Sequence, residues 1–245
     1  MGEYIPVAPI NDQARKHNQN LPGMGGVFNL VNMHVYHYAG NNPVKLIDPD
    51  GRELGKAGIE RIVAEIDKRL NQIWEQSINP RRFLFFKMDP NTAWEYAGNI
   101  NKNSKEGYKI GQVRTDRSEV YVNPPTPRGN TVADFHTHPV AANKGGFTGV
   151  PFSAEDIYGM WYYGLDLSIV EAGTVRFAVE ITDRRKFNNF VRYIVSEYNR
   201  IMSNYEHLGP VKSRIEALRE LSHNPNSGFT VYQSVDKNKL VFEKL

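Results

Sequence analysis

The chain has 245 residues, 40% of them hydrophobic and 23% charged, which is the makeup of a folded protein able to bury a sizeable core. Thirty basic and 27 acidic residues leave a net charge of +3, too small to mark a nucleic-acid-binding surface. Cysteine is absent, which excludes disulfides and thiolate ligands and leaves nitrogen and oxygen to hold any metal.

In chain order, the opening Met1-Gly2-Glu3-Tyr4-Ile5-Pro6 lacks a basic segment followed by an apolar one, and no run approaches ~18 apolar residues, so neither a signal peptide nor a membrane span is expected. Residues 1–53 are rich in Asn, Gly and Pro and read as an extended or partly disordered leader, with residues 54–245 as the folded domain. In the leader, Asn41-Asn42-Pro43 and Asp48-Pro49-Asp50-Gly51 are turn sequences around a short apolar run. His34-x-x-His37 has metal-like spacing but no nearby acid, and reads as aromatic packing.

From Ile59, the apolar positions Ile59, Ile62, Val63, Ile66, Leu70, Ile73 and Trp74 step by three and four and predict one helix. Strands are predicted over 82–88, 108–113, 119–122 and 132–137. A helix begins at Ser153 and carries Ile157, Met160 and Trp161. Strands 167–171 and 175–181 follow, joined by the hairpin-like turn Ala172-Gly173-Thr174. Phe187, Phe190, Val191, Ile194, Val195, Tyr198, Ile201 and Met202 form one apolar helical stripe, a second helix spans 211–221, and strands 230–234 and 240–242 close the chain. The pattern predicts an α/β (α+β) layered domain, with a central, mostly antiparallel sheet flanked by helices and no internal repeat.

Chemistry concentrates in Ala133-Asp134-Phe135-His136-Thr137-His138-Pro139, followed after a loop by Ser153-Ala154-Glu155-Asp156. A strand alternates its side chains, so His136 and His138 share a face and can offer two imidazoles to one ion, with Asp156 as third ligand. Three protein ligands leave a tetrahedral position for water, as in catalytic zinc sites. Other readings stand beside this one. Ser153-x-x-Asp156 also fits a helix N-cap, and two histidines two apart also fit a half-exposed strand pair.

A zinc-bound water needs a separate base, and Glu95 is the candidate. It opens an extended segment whose small pair Ala97-Gly98 lets another backbone come close, though a solvated helix-end glutamate fits the same pattern. Glu65 and Glu75 fall on the first helix, Glu155 adjoins Asp156 and is expected to point elsewhere, and Glu119 is next in line. Tyr158, Trp161, Tyr162 and Tyr163 fit a substrate groove, with helix core the simpler reading for the first two. His207 and His223 sit near helix ends, where histidine caps carbonyls. Arg184-Arg185 starts a helix as a solvated corner.

Glu95, His136-x-His138 and Ser153-x-x-Asp156, in that order, resemble the JAMM motif of the JAB/MPN metalloprotease fold. The resemblance covers roughly residues 90–180. It implies Zn²⁺ on His136, His138 and Asp156, Glu95 as general acid/base, Ser153 as a helper for the water and oxyanion, and a peptide or isopeptide substrate. The fourteen residues 139–152 exceed the motif's usual gap and include Gly145, Gly146 and Gly149, which fits a flap or a diverged substrate.

Upstream, Gly25-Gly26-Val27-Phe28-Asn29 and the run from Tyr36 to Asp48-Pro49-Asp50-Gly51-Arg52 resemble the end of an RHS-repeat core. That resemblance implies a C-terminal toxin with a cognate immunity protein, exported or delivered without an N-terminal signal peptide, or else cytoplasmic. It also implies self-cleavage just beyond the Asp-Pro-x-Gly turn, expected to be lost here because the repeats that build the shell are missing. Two rival functions remain: a non-catalytic binding module of the same fold, and a toxin acting on nucleic acid, the latter disfavoured by charge.

Overall fold

The spacing from Ile59 forms helix α1 (Gly55–Ile78), and its whole apolar stripe from Ile59 to Trp74 is buried. Its start is fixed from another element: the buried Glu180 carboxylate accepts the N–H groups of Leu54 and Gly55, placing negative charge at the helix's positive end. This computed structural model describes residues 54–78, 93–118, 121–139, 149–236 and 240–245, all within the unit Glu53–Leu245. The leader, the strand expected over 82–88, and Glu119 lie outside the described residues.

Seven strands form one sheet in the order β2-β1-β3-β4-β5-β6-β7. They are β1 (Ala97–Asn103), β2 (Gly107–Arg114), β3 (Thr131–Thr137), β4 (Leu167–Glu171), β5 (Arg176–Ile181), β6 (Phe229–Asp236) and β7 (Val241–Lys244). Neighbours run antiparallel except β3 and β4, which are parallel. A parallel pair needs a crossover, and helix α2 (Ala154–Tyr163) supplies it. In sheets with such crossovers, ligands gather outside the carboxyl ends of the strands, which here is the junction between β3 and α2.

Alternation divides the strands between two apolar clusters. Ala133, Phe135, Ile169, Ala178 and Tyr232 pack with α1. Val170, Phe177, Val179 and Val231 pack with α2 and with the later helices α3 (Arg184–Phe190), α4 (Ile194–Asn204) and α5 (Pro210–His223). Helices therefore cover both faces of the sheet, and β4 and β5 are buried along their whole length, as strands between two layers must be.

Three expectations are corrected. Tyr121 and Val122 are not strand, because the following Pro124, Pro125 and Pro127 have no N–H to donate to a ladder. The stripe over 187–202 is not one helix: a 3₁₀ turn, Val191–Tyr193, separates α3 from α4. That tighter turn shifts the register, so Phe187, Val191, Ile194, Tyr198 and Ile201 stay buried while Val195 is exposed. Tyr158 and Trp161 are not core but lie partly exposed against each other on α2.

Candidate metal centre

Register sets the site. Ala97 pairs with His136 across the antiparallel β1–β3 ladder, which brings Glu95 opposite His138 by the same count. Two bonds extend the ladder past the end of β1: the Thr137 N–H donates to the Tyr96 carbonyl at 2.9 Å, and the Tyr96 N–H to Thr137 Oγ1 at 3.0 Å. Gly98 makes the approach possible. A Cβ there would stand 2.6 Å from the Phe135 ring and 2.8 Å from the Gln112 carbonyl oxygen.

On β3, Ala133 and Phe135 face α1, so Asp134 and His136 face the other layer, and His138 follows just past the strand end. All three line one cavity of about 650 Å³ together with Glu95, Ser153 and Asp156. His138 is held by its own backbone N–H, which donates to the Glu171 carbonyl at 3.0 Å, and by Nδ1, which lies 3.0 Å from the Val150 carbonyl. That carbonyl accepts only if Nδ1 carries the proton, which leaves the Nε2 lone pair free for a metal. Gly149 permits this loop path, with φ at 84° and its N–H donating to the Ala172 carbonyl.

Asp156 arrives from α2. Its backbone N–H donates to Ser153 Oγ at 3.2 Å and its Oδ2 accepts the Ser153 N–H at 2.6 Å, a complete capping box. The same carboxylate places Oδ1 3.5 Å from His136 Nε2 and Oδ2 3.6 Å from His138 Nε2. Cap and candidate ligand are thus two uses of one side chain. The candidate ligand atoms of His136, His138 and Asp156 lie within 4.8 Å of one another. Metal–ligand bonds of ~2.1 Å put tetrahedral ligands roughly 3.4 Å apart, so each imidazole stands at a workable distance from one oxygen of the carboxylate. His136 Nε2, buried and without a hydrogen-bond partner among the described residues, is the orphan a metal would satisfy.

Electrostatics agree. Burial pushes Glu95 up to about 8, and the neighbouring charges of His136 and Asp156 act in opposite directions. Burial alone would lower His136, but Asp156 chiefly, with Asp134 and Glu95, outweighs it and raises the imidazole to about 9. Burial and then the His136 charge push His138 down to about 4. Burial would raise Asp156, yet His136 and His138 hold it well below the usual carboxylate range.

Glu95, His136, His138, Ser153 and Asp156 are all brought to this cavity, and Glu95 Oε1 stands 3.9 Å from His138 Nε2. Glu155 also lines it, contrary to expectation: the first turn of α2 faces the cavity broadly enough to present both neighbouring acids. Glu65 is engaged elsewhere, accepting the Tyr108 N–H. His223 Nδ1 meets the Arg219 carbonyl at 2.8 Å, as a helix-end histidine should. Asp134 is a further acid at the cavity, marked in the sequence only by its alternation with His136. It is buried, Oδ1 has no hydrogen-bond partner among the described residues, and burial raises its carboxyl. Arg214 on α5 lines the cavity as well, and nothing near it in the chain signals that place. No described helix is long and apolar enough to cross a membrane.

Comparison of the chain with protein-family models, with curated proteins and with solved structures finds no match in any of the three.

Proposed function

We propose that the chain is a zinc-dependent hydrolase of peptide or isopeptide bonds, of JAB/MPN type, carried as the C-terminal effector of an RHS-like polymorphic toxin. One observation carries the catalytic reading. A carboxyl from the segment leading into β1, Glu95, stands 3.9 Å from a candidate ligand and is not itself in the ligand group. Two imidazoles and one carboxylate, without thiolates, suit zinc with a position left open. The toxin reading rests on the sequence run that ends in Asp48-Pro49-Asp50-Gly51-Arg52.

Zinc at His136, His138 and Asp156 would polarise the scissile carbonyl and acidify its water. Glu95, held at about 8 by burial, titrates lower beside a dication. As a carboxylate it accepts the attacking water's proton and delivers it to the leaving amine. Ser153 Oγ accepts from Asp156, so its own proton is free to be donated to the oxyanion. Val150 and Glu171 hold His138 in orientation throughout.

The test uses the full chain, zinc analysis by emission spectroscopy, and a mixed-sequence peptide library read by mass spectrometry for new amino termini. Glu95→Gln should keep its zinc and lose about a hundred- to ten-thousand-fold in cleavage. Asp156→Asn should lose zinc itself, since an amide oxygen is the poorer ligand. Full activity in Glu95→Gln removes it as the base and moves attention to Glu119. A wild-type chain that takes up no zinc leaves only a binding module.

A further inference from the structure

Helix α5, from the C-terminal part of the chain, brings Pro210, Val211 and Arg214 to the cavity that holds the metal group. Arg214 is half-buried, and among the described residues its guanidinium makes no hydrogen bond or ion pair. Glu155 lines the same cavity, yet among the described residues no ion pair joins the two. Arg214's charge reaches the site, acting on both His138 and Tyr198. A guanidinium within range of a dication site opposes metal binding, and here no bond to the fold offsets the repulsion. Arg214 and a dication held by His136, His138 and Asp156 would together have a simple complement: an anion that spans both.

We propose that Arg214 is a specificity residue that binds a carboxylate of the peptide substrate, so that cleavage falls beside a free C-terminus or an acidic side chain. This rests on the hydrolase reading above. Arginine suits the task because its planar fork meets a carboxylate with two parallel hydrogen bonds. The start of α5 adds the same sign of charge, since Gly209 provides no side-chain cap there. A single carboxylate fits better than a phosphate chain. Glu95, Asp134, Glu155 and Asp156 on the lining repel a polyanion, while one carboxylate has Arg214 to itself.

The probes are acetohydroxamate and a series of hydroxamates bearing a terminal carboxylate on spacers of increasing length, titrated calorimetrically into the zinc-loaded full chain. Both kinds hold zinc through the hydroxamate, so their ratio isolates the carboxylate. In the wild type, one spacer length should bind at least about tenfold tighter than acetohydroxamate, the low end for a hydrogen bond to a charged group. Arg214→Gln should erase that preference, Arg214→Lys should keep part of it, and Glu155→Gln should keep it or enlarge it.

Zinc affinity in Arg214→Gln should be equal or tighter, the opposite of what structural damage would do. No preference at any length, or a preference that survives Arg214→Gln, overturns the proposal while the metal site stands. Failure of both probes and of zinc uptake overturns the hydrolase reading, and this proposal with it. Peptide libraries with free and amidated C-termini separate the two carboxylate sources. Cleavage confined to the free set assigns the terminal carboxylate, and cleavage of both sets beside Asp or Glu assigns the side chain. Cleavage of both sets without acidic preference counts against Arg214.

Discussion

Two groups lining the cavity have folded pKa values above the ordinary ones: Glu95 at about 8 against 4.5, raised by burial, and His136 at about 9 against 6.5, raised chiefly by Asp156. Each contributes stability that is fully present below the ordinary value and is lost as pH rises through the folded one. His138, lowered to about 4, contributes in the other sense, with stability present above 6.5 and lost as pH falls toward 4. Metal-free protein should therefore melt at lower temperature at pH 8 than at pH 6.5, and Glu95→Gln should flatten part of that slope. Calorimetry at the two pH values decides, and a wild-type curve that rises across the window would contradict the assignment. Zinc must displace the His136 proton, so its affinity should climb with pH up to about 9, by about tenfold per unit. Competition against a chelating dye measures it. At this scale the histidine pair was readable from alternation alone, because two residues two apart on a strand share a face whatever surrounds them. Which nitrogen faces the ion was not readable, since that depends on the Val150 carbonyl, twelve residues away.

Elements carry the site through two local devices. The capping box between Ser153 and Asp156 starts α2 and aims the carboxylate in the same stroke. Ser153→Ala should cost about 1 kcal/mol in urea unfolding through the lost cap. Zinc content should be kept, because the Ser153 backbone N–H still holds Asp156. Loss of both together would mean that the hydroxyl, not the backbone, orients the ligand. Gly98 is the second device. A side chain there must displace a backbone carbonyl as well as the Phe135 ring, so Gly98→Val should cost roughly 1–3 kcal/mol. It should also weaken zinc binding by prising β1 from β3. The sequence marked Ala97-Gly98 as a place of close approach, but the neighbour that comes close was set by strand order. Tyr121 and Val122 are not strand, because the prolines that follow them withhold the N–H groups a ladder needs.

Across the molecule, the fully buried Arg176 ties layers together: its Nε donates to Glu171 at 2.6 Å, and Nη1 lies 2.7 Å from Asp67 on α1. Glu171 is also the residue whose carbonyl holds His138, so this cluster stands directly behind the metal group. Arg176→Met should destabilise by about 3–5 kcal/mol, because the buried Glu171 carboxylate loses its guanidinium. Adding Glu171→Gln should recover most of that loss. Thermal melts of the single and double variants test it, and equal melting of wild type and Arg176→Met would show the cluster to be inert. Bound zinc should raise the melting temperature in proportion to the logarithm of its free concentration, an effect absent in His136→Ala.

Local patterns, which need no knowledge of the rest of the chain, determined the helix stripe from Ile59, the shared face of His136 and His138, the cap at Ser153 and most strands. Each depends on a repeat of two or of three to four residues that neighbours in sequence impose on one another. Tertiary structure alone decided that β3 and β4 run parallel with α2 between them, that Glu95 meets His138, and that Arg214, 76 positions beyond His138 in the chain, shares their cavity. Those meetings are fixed by sheet register and by the packing of helices across a common core. Both arise from burial of apolar surface, summed over many contacts that no short segment contains.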